Sequence, residues 1–212
     1  MNLVTNAVVG TALALLLSGG AGAAPPEHSY VGVRKCKSCH GKELYGDQVS
    51  VWRAGPHAKA FESLSSDKAH EYAREAGIAG PPNQAAKCRK CHVTAEGVSD
   101  AFRKYALLET DGIQCESCHG PGADYRKKSI MSDADKASAK GLVKQTAEVC
   151  TTCHNDESPA WDPRRYALAG GGHAGFDFDQ ARAKIQHPIP PDNKGHVVEI
   201  EKARRKARKK AR

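Results

Sequence analysis

All eight cysteines of this chain fall in four C-x-x-C-H motifs: Cys36-Lys37-Ser38-Cys39-His40, Cys88-Arg89-Lys90-Cys91-His92, Cys115-Glu116-Ser117-Cys118-His119 and Cys150-Thr151-Thr152-Cys153-His154. Thiols three positions apart share one face of a helical turn. There they reach the two vinyl groups of one porphyrin, and the adjoining histidine turns its imidazole onto the iron. The spacing predicts four covalently bound haem c groups, attached at Cys36, Cys39, Cys88, Cys91, Cys115, Cys118, Cys150 and Cys153. His40, His92, His119 and His154 are the expected proximal iron ligands. Two other chemistries use paired cysteines. Zinc ribbons hold a tetrahedral ion with two C-x-x-C pairs, but give no reason for a histidine after the second cysteine four times running. Disulfide scaffolds scatter their cysteines over the loops they staple instead of gathering them in four clusters.

Residues 1–24 carry no charged side chain and hold an apolar run from Ala7 to Leu17, followed by small residues ending in Ala23-Ala24. This reads as a cleaved secretory signal, too short to span a bilayer, which takes about 20 apolar residues. The run lacks a preceding Lys or Arg, so an uncleaved anchor or a misplaced start stays open. Export to the periplasm or the extracellular side agrees with the cysteine pattern. No other segment is apolar enough to cross a membrane.

The expected organisation is one multihaem cytochrome c domain over 25–196, mainly α with extensive coil, built around four covalently bound haems. A basic tail over 197–212 follows, where disorder is expected. Aromatic residues make up 6% of the chain, so a conventional side-chain core would be thin and the porphyrins must fill it. Without them the polypeptide is expected to be poorly folded. The formal net charge is +8, but Glu201 to Arg212 contribute +7 of it, leaving the rest at +1. The basic character is therefore a tail, read as solvated or as docking on an acidic partner or anionic surface. Nucleic acid is not an expected partner.

The motifs begin at 36, 88, 115 and 150, which is no repeat. Helices are expected over Lys42 to Ala54, over Pro56 to Leu64, and from a Ser66 cap to Ala76 with Ala69, Tyr72, Ala73 and Ala76 as its stripe. A short helix capped by Ser132 or Asp133 reaches Lys140, and a last one opens at Asp177 or Asp179 and closes before His187-Pro188. Gly170-Gly171-Gly172 reads as irregular backbone, and Val197 to Ile200 is the one strand candidate.

Six histidines outside the motifs, His28, His57, His70, His173, His187 and His196, are available for the second axial positions. Two histidines close an iron for electron transfer, whereas an empty position admits small ligands. Here the chain resembles the cytochrome c-554 family of tetrahaem cytochromes. The resemblance rests on Cys36 to His40 followed by Trp52 and Gly55-Pro56-His57-Ala58-Lys59-Ala60-Phe61, and on Cys115 to His119 followed by Gly120-Pro121-Gly122. Cys150 to His154 with Ser158-Pro159, and Phe176-Asp177-Phe178 leading to Ile185-Gln186-His187-Pro188, extend it over roughly Tyr30 to Pro190.

The resemblance implies a mostly helical domain with closely packed haem pairs acting in periplasmic electron transfer. It also implies His57 and His187 as distal ligands, and one haem, usually that of the second motif, left open or weakly occupied. Many members carry a histidine shortly after the His-Gly-Pro-Gly stretch, where this chain has Ala123-Asp124-Tyr125-Arg126. His173, in its glycine-rich loop, has the backbone freedom to replace that ligand. Tyr125 is expected to pack on a porphyrin edge and not to ligate as phenolate. Trp52 and Trp161 read as haem-packing aromatics, and His70 as a helix-surface residue. His28 and His196 lie in segments where disorder is expected, although either could reach a neighbouring subunit.

These features predict an electron carrier, not an enzyme, that works with redox partner proteins. Two other functions compete: an oxidoreductase acting on a small nitrogen compound such as nitric oxide at an open haem, and a self-associating subunit of an extracellular cytochrome filament. No lysine-terminated C-x-x-C-K variant, the form found at catalytic haems of multihaem nitrite reductases, is present.

Overall fold

The computed structural model describes residues 27–105 and 107–188, with residues 206 and 209 beyond them. The signal segment, His196, the strand candidate at Val197 to Ile200 and all but two positions of the basic tail lie outside the described residues. The fold is mainly helical with extensive coil. Its helices are α1 (Val33–His40), α2 (Gln48–Ala54), α3 (Ala60–Ser63), α4 (Asp67–Glu75), α5 (Ala86–His92), α6 (Cys115–His119), α7 (Lys128–Met131), α8 (Ala134–Ser138), α9 (Ala147–Thr151) and α10 (Phe178–Ile185). Short 3₁₀ turns cover Glu43–Tyr45, His57–Lys59, Asp100–Phe102 and Glu109–Asp111. No described helix is long and apolar enough to cross a membrane.

Three helix starts follow from side-chain caps. Ser66 accepts the Ala69 amide ahead of α4, Asp133 accepts Lys136 N–H ahead of α8, and Asp177 accepts Gln180 N–H ahead of α10. Other expected helices are broken. The stretch from Lys42 to Ala54 divides into a 3₁₀ turn and α2 because Gly46 (φ 97) and Asp47 (φ 44) both take left-handed backbone between them. The stretch from Pro56 to Leu64 is a 3₁₀ turn followed by the single turn of α3. The glycine-rich loop closes a hairpin of β1 (Tyr166–Ala167) and β2 (His173–Ala174), with Tyr166 facing Ala174 and Ala167 facing His173.

Among the described residues the buried apolar side chains are few and mostly small: Val31, Val33, Val49, Leu64, Ala73, Val93, Leu107, Tyr125, Ala137 and Tyr166. None lies within α5 or α9, so those helices are not held by an apolar face of their own. A buried polar network ties the chain together instead. Glu116 Oε2 accepts the Gly32 amide at 2.7 Å, and its two oxygens accept Val31 N–H at 2.9 and 3.1 Å. Glu116 Oε1 also accepts Gly122 N–H at 2.6 Å. Gln114 Oε1 accepts Val33 N–H at 2.8 Å while its amide donates to Leu108 O at 3.0 Å. Thr94 Oγ1 accepts Gln114 N–H at 2.7 Å and lies 3.0 Å from Gly112 O. The lead into α1, the exit of α5 and the whole of α6 are thereby joined.

Thr94→Val leaves Gln114 N–H buried without an acceptor. Replacement should lower the unfolding free energy by about 1–3 kcal/mol, read as a lower denaturant midpoint at unchanged slope. An unchanged midpoint would show that the amide finds another partner.

Candidate haem sites

Three of the motifs are carried wholly on helices, α1, α5 and α6, and the fourth begins in α9 and continues into the turn after it. All eight thiols are free and partly buried. The motifs meet in two pairs. Cys36 and Cys115 lie side by side, and each is the largest influence on the other, which pushes the Cys36 thiol up and Cys115 down. Cys91 and Cys153 make the equivalent contact, holding Cys153 at about 6. An exposed ion pair of Lys90 with Glu157, at 2.6 Å, spans the same two motifs. The pairs adjoin each other: burial pushes Cys118 up to about 11, and the neighbouring Cys150, Cys115 and Cys153 add to it. In space the motifs therefore run first, third, fourth, second. Among the described residues no three or more Cys, His, Asp or Glu side chains converge as a metal cage, so the C-x-x-C pairs do not form a zinc tetrahedron.

His57 faces the motif histidine His154 with ring centres 6.1 Å apart, and His187 faces His119 at 6.0 Å. Two metal–nitrogen bonds of about 2 Å, plus about 1.1 Å from nitrogen to ring centre on each side, total about 6.2 Å. Both pairs thus fit one iron between them. All four rings are held neutral, the form that ligates metal. Burial lowers His57 and His154, and His57 lowers His154 further. His119 is pushed down to about 4 by burial and then by His187 and His40, and His187 is lowered by burial and His40. Among the described residues no side chain pairs with the buried His187 Nδ1.

The remaining motif histidines are oriented by hydrogen bonds at Nδ1. His92 Nδ1 donates to Ala60 O at 2.6 Å, which leaves Nε2 with its lone pair. His40 Nδ1 lies 3.2 Å from Gln48 Oε1, and the Gln48 amide reaches Pro188 O at 3.0 Å, tying the first motif to the backbone beside His187. At His119 the sense is reversed, since the Gln145 amide nitrogen donates to Nδ1 at 2.7 Å.

The His57 turn is placed by close backbone approach. Ile113 N–H donates to His57 O at 2.9 Å and Trp52 Nε1 donates to Ile113 O at 2.7 Å. Gly112, at φ 64, passes so near that a Cβ there would stand 2.6 Å from His57 O. Trp52 is thus an anchor of the loop, and the Trp161 ring lies against Gly175, where a Cβ has no room.

His173 does not join the histidine clusters: it sits exposed on β2 opposite Ala167. His70 is exposed on α4 as expected. His28 departs from expectation, because Asp124 Oδ2 holds its Nδ1 at 2.7 Å and its ring packs against Gly141. Tyr125 is buried, donates to Gly120 O at 2.8 Å and has its phenol pushed up by burial and then by Glu116, a neutral packing residue.

Sequence reasoning missed Phe176 and Tyr166 as site residues. Phe176 stacks on His154 at 5.6 Å and 21°, and buried Tyr166 meets Phe176 edge-on at 6.2 Å. The hairpin that delivers them offers no alternating pattern to find. It also missed Glu116, although a signal existed: Glu116 is the only acid between the cysteines of any motif.

The profile of the family described as "Cytochrome c554 and c-prime" matches residues 35–120. Cytochrome c-554 of Nitrosomonas europaea is 32% identical over 169 residues, 73% of this chain and 69% of that protein. The multiheme cytochrome MtrA of Shewanella baltica is 33% identical over 114 residues, 50% of this chain but 32% of its own length. The structure of reduced cytochrome c554 from N. europaea superimposes with a TM-score of 0.52 at 26% identity, covering 76% of this chain and 85% of that one. The C-x-x-C-H helices, the opposed neutral imidazoles and this likeness in sequence and fold agree: the chain belongs to the cytochrome c-554 family of multihaem, electron-carrying cytochromes with covalently bound haem c.

Proposed function

We propose that residues 25–196 form a tetrahaem domain that carries electrons between redox partner proteins after export to the periplasm or cell exterior. The observation that carries this reading is the opposition of His57 to His154 and of His187 to His119 at 6.1 and 6.0 Å. Haem c supplies one-electron exchange at its iron, tuned by axial ligand and surroundings. The protein's part is to hold and orient. The eight motif cysteines attach the four groups, and His40, His92, His119 and His154 are the proximal ligands. His57 is the distal ligand opposite His154, and His187 is the one opposite His119. Gln48 and Ala60 fix the tautomers of His40 and His92. The adjacency of the motifs in the order first, third, fourth, second supports carriage along a single file.

A second reading has one specific observation in its favour. Among the described residues neither His40 nor His92 has a ring partner like those of His119 and His154. An open position at either would admit a small ligand such as nitric oxide, and the protein would then act as an oxidoreductase on it. The filament reading has less support, since His28 is engaged by Asp124 within its own chain.

Purified mature protein should carry four haem increments in its mass. His57→Ala and His187→Ala should each convert one low-spin iron to high spin by electron paramagnetic resonance, and the double variant two. A spectrum unchanged by either substitution removes that histidine from the ligand set. High-spin iron already present in the unaltered protein, with rapid nitric oxide turnover, would favour the second reading. The same chain made without haem attachment should show no cooperative thermal transition, since so few apolar side chains are buried. A sharp transition in the haem-free chain would mean that the polypeptide supplies its own core.

A further inference from the structure

Glu116 is 2% exposed and sits between the two cysteines of the third motif. Every hydrogen bond to its carboxylate comes from backbone N–H, of Val31, Gly32 and Gly122, and among the described residues no Lys, Arg or His pairs with it. Burial pushes the Glu116 carboxyl above the ordinary carboxylate range, while the three converging N–H donors act against that rise and favour the ionised form, whose charge no cation answers. The carboxylate sits between Cys115 and Cys118 and holds the backbone that leads into the helix of the first motif. Burial raises the phenols of Tyr30 and Tyr125 and Cys115 raises the Cys36 thiol, and the Glu116 charge adds to each. The other pair of motifs stands in different surroundings. Lys87 lies beside Cys88, and Lys90 acts on Cys153 with its charge answered by Glu157 at the surface. Arg89 is matched by two carboxylates, Glu96 and Glu109, at 2.8 and 2.6 Å.

We propose that Glu116 is a potential-setting residue: its buried, unpaired negative charge favours ferric iron at the first and third motifs, making theirs the low-potential pair and the pair of motifs two and four the high-potential one. The inference rests on the tetrahaem reading above. It adds a direction, since electrons entering the protein settle last on the pair beside Glu116. The physical argument is that a fixed anion in a weakly polar interior stabilises the more positive metal state, while the same charge in water is screened. Arg126 supplies an internal check of opposite sign. It is exposed, rests on the Tyr105 ring, and its charge lowers the Cys36 thiol.

The test is a redox titration of the full haem-loaded chain at pH 8, followed by visible absorption and electron paramagnetic resonance. In Glu116→Gln two of the four potentials should rise and the other two stay. In Arg126→Gln the same two should fall by a smaller amount. Combined with His57→Ala, Glu116→Gln should leave the potential of the new high-spin haem where it was, because that haem belongs to the other pair. Four unmoved potentials, four potentials moving together, or a rise in Arg126→Gln would each overturn the proposal. Should Glu116→Gln fail to fold, the unaltered protein decides: the two lowest potentials must belong to motifs one and three, assigned by which low-spin signals His57→Ala and His187→Ala remove, and any other assignment overturns the proposal. A mass lacking four haem increments, in contrast, would overturn the tetrahaem reading and not the role of Glu116.

Discussion

The Glu116 carboxylate is the contact on which the rest of the structure depends. It lies in a five-residue helix that could not persist alone, and it gathers the amides of Val31, Gly32 and Gly122 from both sides of that helix. With Gln114 and Thr94 it fixes how the first and third motifs meet and where the second motif exits. A buried carboxylate is costly unless its oxygens are satisfied, and here backbone donors do that work. Such a network gives a chain with few large apolar residues one defined arrangement around groups that are not amino acids.

The histidines follow from that arrangement. His57 reaches His154 because Gly112 and Ile113, in the stretch that Thr94 and Gln114 hold, press on the His57 turn, and Trp52 of α2 anchors them. His187 reaches His119 at the far end of α10, beside a proline whose carbonyl is tied through Gln48 to His40. Burial then keeps the imidazoles neutral, so position and protonation state are both suited to ligation before any metal contributes.

Charge is arranged unevenly over this frame. Cations near the second and fourth motifs are answered by Glu96, Glu109 and Glu157, whereas Glu116 is answered by dipoles alone. In a chain with four copies of one attachment motif, such differences in surroundings are what can make the four sites unlike one another. The body carries almost no net charge outside its tail, so local placement and not overall balance sets these fields.

The sequence by itself determined the chemistry of attachment, because C-x-x-C-H encodes ligand geometry within five residues and needs no tertiary context. It likewise determined the caps at Ser66, Asp133 and Asp177, where a side chain and an amide three positions on are all that is involved. It did not reveal the break at Gly46-Asp47, the hairpin at Tyr166 and His173, or the tethering of His28, since each depends on what the backbone meets elsewhere. Above all, only the tertiary structure decided which motifs pair and which histidine faces which. Those relations join residues 62 to 97 positions apart, from Cys91 with Cys153 to His57 with His154, and no local pattern carries information over that span. Packing and a buried carboxylate supply it instead.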